Sequence, residues 1–323
     1  MSDENQHWVP KFLIKNFADT DGRVFCLNIK TDEITKPPPK YAASSPGFNN
    51  FSTEGGAVSF EDQLEKIETS AAPALRRIVN SRSIAGLTEK QRIDVSNFIA
   101  AQSFRTEAFY KGLDTAQHRE NFGSVFSALW RSAFLLSAEI LRRKWAIMTI
   151  ENDEIFYLGD HPVVLQHTEN PSSDQDLGFD IQGVEAFLPL TPKCALYMPC
   201  ASTSQEIISG YENALAAPEI IRLAKLQGND ALIDTEKFLE ISRRIMRNTR
   251  ELYEAFTIGS AFVATSENIE NLNYLQCAWA HAAVYSNKRD FIFAKKVFRQ
   301  SPQYRSTVKV KLGTFDVRSR NNT

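Results

Sequence analysis

From Ser59 to Lys144 the chain repeats apolar residues at helical spacing in three successive stretches, and at Trp145 the pattern changes to that of strands. This switch confines the fold to packed helices followed by a sheet. We therefore expect an α+β chain, a predominantly helical bundle packed on a small, mostly antiparallel sheet. The first stretch carries Phe60, Leu64, Ile67, Ala71, Leu75 and Ile78, with Ser59 as its cap and Pro73 as a bend. The second begins at Thr88-Glu-Lys-Gln91, which has the form of a capping box, and runs to about Tyr110 with Val95, Phe98, Ile99 and Phe109 on one face and Ile93 and Phe104 on the other. The third, about Thr115 to Lys144, aligns Phe122, Val125, Phe126, Leu129, Ala133, Leu136 and Ile140.

Ahead of these helices, residues 7–17 read as a short helix leading into a hairpin at Arg23 to Ile29. The Pro-Pro-Pro run at 37–39 makes Lys36 to Gly47 an extended connector, since each proline removes a backbone donor. After the helices, strands are expected at 145–150, 155–158, 163–166, 184–192 and 194–198. Helices follow at 204–226, 234–256 and 266–283, then edge strands near 283–287, 290–293 and 307–312. We read residues 1–323 as a single globular domain. It divides into an N-terminal hairpin and connector (1–58), a helical layer (59–144), a sheet (145–200), and helices with edge strands and a basic C-terminal end (201–323).

Composition narrows what such a chain can do. The acidic, polar N-terminus lacks the basic and apolar regions of a secretory leader, and the most apolar stretch, Ser132 to Leu141, is interrupted by Glu139 and flanked by Arg131 and Arg142. A cytoplasmic protein without membrane spans is expected. Cys26, Cys194, Cys200 and Cys277 show no metal-ligand spacing and read as buried thiols. The net charge is −2, yet between Lys288 and Arg320 ten Lys or Arg face only Asp290 and Asp316, a local +8 that suits a nucleic acid or another polyanion. The phosphate loop, the dinucleotide fingerprint, HExxH and GxSxG are all missing from the sequence, so the standard nucleotide, zincin and serine-hydrolase readings lose weight.

Four groups of residues carry candidate chemistry. His7 stands among Trp8, Phe12, Ile14 and Phe17, where an imbedded imidazole is either a packed residue or a base. Gln102 and Arg105 lie on or at the edge of a buried helical face, so the guanidinium needs a carboxylate, which Glu65, Glu68 or Asp160 could supply. Asp160-His161-Pro162 ends an apolar strand. His161 and His167 would share a strand face near Asp174, Asp176 and Asp180, but their spacing matches no metal motif, and no metal is expected. Arg243, Arg247 and Arg250 form a helical stripe suited to phosphates, with Glu240, Glu251 and Glu254 near enough to neutralise it.

The opening H-x-x-P-x-F-x-I-x-x-F, spelled by His7, Pro10, Phe12, Ile14 and Phe17, resembles the start of a broad, mainly bacterial family known only as domain of unknown function 4238. The likeness extends through Leu64-Glu-Lys-Ile-Glu68, Gln102, Arg105, Asp160-His-Pro162, Leu188-Pro-Leu-Thr-Pro192 and Asn273. This chain departs from the family pattern at Gly159, where a serine is usual, which puts any hydroxyl contact there in doubt. The resemblance implies no activity. It singles out His7, Glu68, Arg105, Asp160 and Asn273 as residues that belong together.

From residue chemistry we expect a hydrolase or nuclease acting on a phosphate-containing substrate, of the kind used in phage defence or as a toxin. His7 would be its base, Asp160 and Glu68 its acidic or orienting groups, and Arg105 its anion clamp; Gln102, His161, Asn273, Arg243, Arg247 and Arg250 would bind. The sequence names no cofactor. The rival expectation is a non-catalytic nucleic-acid- or protein-binding regulatory module built on the same residues.

Overall fold

The computed structural model describes residues 5–53, 56–107, 109–110, 122–168, 177–228 and 234–305. The chain opens with strand β1 (Asn5–His7) and a one-turn helix α1 (Lys11–Lys15), then forms the hairpin β2 (Phe25–Asn28) and β3 (Ile34–Thr35). The proline-rich connector is not wholly extended. It makes a 3-10 turn at Pro39–Tyr41 and a strand β4 (Ser44–Pro46), which pairs with β1 so that His7 opposes Ser44. A second hairpin, β5 (Asn50–Thr53) and β6 (Gly56–Ser59), has no counterpart in the sequence reading.

Helices α2 (Glu61–Ser81), α3 (Glu89–Phe104) and α4 (Phe122–Arg142) follow. Phe60, not Ser59, is the N-cap of α2; the Ser59 hydroxyl only accepts the Glu61 N–H at 3.4 Å, and Pro73 lies inside the helix without ending it. At α3 the capping box forms as read, with Thr88 and Gln91 satisfying each other's backbone donors. That helix stops at Phe104, earlier than its apolar pattern suggests, and leaves Arg105 as its C-cap.

The sheet region is larger than expected. One five-stranded sheet runs in the order β12-β7-β11-β10-β9, from β7 (Ala146–Thr149), β9 (Val164–His167), β10 (Val184–Thr191), β11 (Cys194–Met198) and β12 (Ala261–Val263). It is antiparallel except where β12 runs parallel to β7. Its side chains alternate between two cores, as the pleat requires. Ile147, Ala186, Leu188, Leu196 and Met198 join the core under the helices, while Met148, Phe187 and Ala195 join a second core with Phe256, Ile269 and Leu272. Both faces are covered, so the strands read as nearly continuous apolar runs rather than alternating ones. Buried Arg143, just after α4, donates to the carbonyls of Val184 (2.6 Å), Met198 (3.2 Å) and Phe179, tying the helical layer to the sheet.

A four-stranded sheet, β3-β2-β13-β8, joins segments from the beginning, middle and end of the chain, with β8 at Leu158–Gly159 and β13 at Ala283–Ser286. The 283–286 strand is therefore internal, flanked by β2 and β8, and not an edge. The stretch after Asp290 is a helix, not a strand. Phe291, Ala294, Val297 and Phe298 recur at helical spacing and are buried on Leu27, Ile29 and Cys277. The helices after the five-stranded sheet are α5 (Ala201–Leu215), α6 (Ala217–Leu226), α7 (Thr235–Ile258), α8 (Ser266–Trp279) and α9 (Ile292–Gln300). The single helix read at 204–226 divides at Ala216, where Pro218 occupies the first turn of α6. The strand expected at 307–312 lies outside the described residues. The architecture is thus mixed, helices with several antiparallel sheets, and among the described residues no helix is long and apolar enough to cross a membrane.

Candidate active site

The fold gathers part of the expected constellation at the junction of β1, the start of α2 and the end of α3. Arg105, 4% exposed, donates from one terminal nitrogen to Glu68 Oε1 at 2.5 Å and from the other to the carbonyl of His7 at 3.0 Å. Three residues earlier on the same face, Gln102 donates from Nε2 to the Trp8 carbonyl at 2.8 Å. The two buried side chains thus clamp the backbone of residues 7–8 onto α3. Of the carboxylates open to Arg105 from sequence, Glu68 is the one that meets it.

The His7 ring is half-buried, and its Nε2 lies 3.3 Å from the Pro39 carbonyl. A carbonyl only accepts, so Nε2 carries the proton and Nδ1 holds the free lone pair. Burial pulls the His7 pKa below its ordinary value; the Pro39 bond opposes this, Arg105 and Lys11 reinforce it, and Glu68 resists it. Near neutral pH the ring is an uncharged base.

Glu61, in the first turn of α2, completes the site and was missed from sequence. It lies one and two helical turns before Glu65 and Glu68. Half-buried, its carboxylate accepts from Asn49 Nδ2 at 2.6 Å. Burial pushes its pKa up, helped by Glu68 and Glu65 and resisted by the Asn49 bond and Arg105. The signal available in the sequence was the i, i+4, i+7 spacing of the three glutamates, which puts them on one face of α2. Beside them, a shallow concavity is lined by Asp62, Glu65, Lys66, Thr69 and Ser70. An aromatic wall backs the cluster, with Trp8 on Phe48 at 4.9 Å and Phe48 on Tyr110 at 5.0 Å between ring centroids. Four polar atoms here, Trp8 Nε1, Asn49 Oδ1, Gln102 Oε1 and Arg105 Nε, are buried without a hydrogen-bond partner among the described residues. Each such atom costs about 1–3 kcal/mol, the kind of local destabilisation that packing alone does not favour.

Asp160 and Asn273 do not join this cluster. The Asp160 carboxylate, 1% exposed, accepts the backbone N–H groups of His281 (2.7 Å), Ala282 (2.7 Å) and Ala283 (3.1 Å). Burial nevertheless pushes its pKa up to about 6 against those three donors, with Glu107 adding to the rise. Asn273 accepts from Tyr157 N (2.7 Å) and donates to Ile155 O (2.8 Å). One turn along α8, Gln276 accepts from Gly159 N (2.7 Å) and donates to Pro162 O (3.0 Å). These amides stand in for the strand ladder that residues 155–162 largely lack. Gly159 lies close to α8: a Cβ there would sit 2.8 Å from the Gln276 backbone carbonyl oxygen, so a serine would force one of the two backbones to shift.

His161, 3% exposed, stacks on Trp279 at 5.2 Å and shares a 2.7 Å hydrogen bond through Nδ1 with the Thr106 hydroxyl, next to Arg105. It precedes β9 and does not share a strand face with His167. Asp174 and Asp176 lie outside the described residues. Among the described residues no three His, Cys, Asp or Glu side chains are grouped to hold a metal ion.

The arginine stripe of α7 is only partly neutralised. Arg250 pairs with Glu254 at 2.8 Å and Glu251 accepts the Val263 N–H, whereas Arg243 and Arg247 stand exposed, with no ion pair among the described residues. In the basic C-terminal region, Lys288 is held by the Asp153 carbonyl (2.8 Å) and Arg305 by Asp32 and the Ile29 carbonyl. Lys296 and Arg299 are exposed on α9, and residues 306–323 lie outside the described part.

Comparison with known families bears on this arrangement directly. The model of the family described as protein of unknown function (DUF4238) matches residues 5–129 and 130–290. The chain belongs to that family. Its match spans both the His7–Glu61–Glu68–Arg105 cluster and the Asp160–Asn273 latch, so the five residues linked by resemblance serve two places in the fold. No curated protein and no solved structure matches the chain.

Proposed function

We propose that this chain is a hydrolase working by general acid–base catalysis, with His7 Nδ1 as base, Glu61 as acid, and the Glu68–Arg105 ion pair as the fixed frame between them. The observation that carries this reading is that two half-buried groups each feel the charge of one buried guanidinium, the imidazole displaced toward its neutral form and the carboxyl toward its protonated form. Opposed displacement of neighbouring titratable groups is how one site holds an acid and a base at the same pH. Base and acid are each worth about 10²–10⁴-fold in rate.

The surroundings bear on substrate. Both terminal nitrogens of Arg105 are committed within the chain, and Glu61, Asp62, Glu65 and Glu68 crowd the adjacent helix face. That supports an uncharged scissile group, an ester, amide or glycoside, over a phosphodiester, and takes the anion-clamp role away from Arg105. The free, mostly buried cysteines are in keeping with a reducing compartment.

The test incubates the full chain with uncharged chromogenic esters, amides and glycosides, and separately with mixed nucleic acids with and without divalent cations. Turnover of an uncharged substrate, bell-shaped in pH and reduced at least 100-fold in His7→Ala and in Glu61→Gln, is expected. Absence of turnover on every substrate, or turnover unchanged in both variants, overturns it. The exposed Arg243 and Arg247 favour a second reading, a binding face for RNA or DNA on α7. Salt-sensitive binding of labelled RNA or DNA, lost in an Arg243→Glu/Arg247→Glu chain, would support it.

A further inference from the structure

We infer that Asn49 is the positioning residue for Glu61, and that through Gln6 the acid is set by the same strand that carries His7. This rests on the acid–base reading above for its catalytic meaning, but its geometry stands alone. Asn49 is fully buried and three of its four polar groups are spent on one task. Its carbonyl accepts from Phe60 N at 3.1 Å, fixing the N-cap of α2, and its Nδ2 donates to Glu61 Oε2 at 2.6 Å, fixing the first side chain of that helix. Its own N–H donates to Gln6 Oε1 at 2.6 Å, and Gln6 Nε2 donates to Asn50 Oδ1 at 3.2 Å. Gln6, 4% exposed, directly precedes His7 in β1. A displacement of β1 therefore moves the base through the backbone and the acid through two amides.

The turn before Asn49 is built for this approach. Gly47 has φ +65°, and a Cβ there would come within 3.2 Å of the Asn50 amide nitrogen. The charged groups that face Glu61 are Arg105 from the end of α3 and Glu65 and Glu68 from its own helix, with the Tyr110 phenol also close. Among these partners only Asn49 gives the carboxylate a direct, short hydrogen bond that favours its ionised form.

The experiment follows the Glu61 carboxyl by carbon NMR across pH in the full chain, with Glu61→Gln assigning the signal. Asn49→Ala is expected to move the Glu61 midpoint up by about one pH unit, and Asn49→Asp, which sets a second carboxyl beside it, by more. Gln6→Ala should move it the same way by less. In the unaltered chain the Asn49 side-chain amide protons should titrate with the same midpoint as Glu61, which needs no variant to fold. An amide that ignores that midpoint, or a midpoint unmoved in either folded Asn49 variant, overturns the assignment; one unmoved in Gln6→Ala overturns the coupling to β1. A moved midpoint without any hydrolysis keeps the inference and removes the enzyme reading. Hydrolysis with a pH profile indifferent to Asn49 does the reverse.

Discussion

Two polar centres in this molecule each hold at least one carboxylate away from solvent and behave oppositely. At the Asp160 latch, a carboxylate and two amides are buried and their hydrogen bonds close on backbone groups of residues 155–162 and 281–283. At the His7 cluster, two carboxylates and an imidazole are half-buried around the Arg105 guanidinium, whose charge acts on both His7 and Glu61, and four nearby polar atoms have no hydrogen-bond partner among the described residues. The first arrangement substitutes for a missing strand ladder and leaves no group free to react. The second keeps a lone pair and a carboxyl in reach of solvent at a cost in stability. Burial and pairing, and not residue identity, separate structure from candidate chemistry here.

The sharpest way to break that comparison is at Asp160. Asp160→Ala takes the acceptor from three N–H donors, that of Ala283 buried and those of His281 and Ala282 part-buried, each about 1–3 kcal/mol where water cannot replace it, so a loss of about 3–5 kcal/mol in denaturant unfolding is expected. A loss below about 1 kcal/mol would sink the latch reading. The pH dependence follows from a folded pKa near 6 against an ordinary 3.8. The folded chain holds this proton harder, so the contribution is full below about pH 4 and declines as pH rises toward 6. Asp160→Asn should abolish that decline. A smaller effect is expected from Gly159→Ser, which drives a Cβ against the Gln276 carbonyl. Overpacking of this kind costs about 1–3 kcal/mol, and a serine variant as stable as the parent would show that α8 can give way.

Much of this was legible from sequence, and the misses have causes. The Thr88 capping box, the apolar faces of α2 and α3, and strands β10 and β11 follow from local patterns that tertiary packing reinforces. Residues 290–293 misled because Phe291 and Phe293 alternate over a window too short to tell a strand from a helix. The Glu68–Arg105 pair was foreseeable, since a buried guanidinium needs a carboxylate. Asp160 read as catalytic and Asn273 as binding because a sequence does not say whether a polar side chain faces another side chain or a backbone. Glu61 went unseen because its significance comes from Asn49, twelve residues earlier, across a hairpin that no local periodicity announced.

The smallest effect concerns the pH response of the His7 cluster itself. His7 has a folded pKa below its ordinary 6.5, so its contribution is complete above that value and is lost as pH falls through the window beneath it. Glu61 has a folded pKa above its ordinary 4.5, so its contribution is complete below that value and is lost as pH rises through the window above it. Between about pH 4.5 and 6.5 the two slopes oppose, so in the intact cluster each offsets part of the other. Removing one partner should expose the other. Glu61→Gln should unfold more readily on acidification toward pH 5 than the parent chain, and His7→Ala should lose stability as pH rises across the same interval. Denaturation midpoints measured every half pH unit would read both slopes. If the two variants instead shift in parallel, the imidazole and the carboxyl do not titrate as an opposed pair, and the cluster is a second latch.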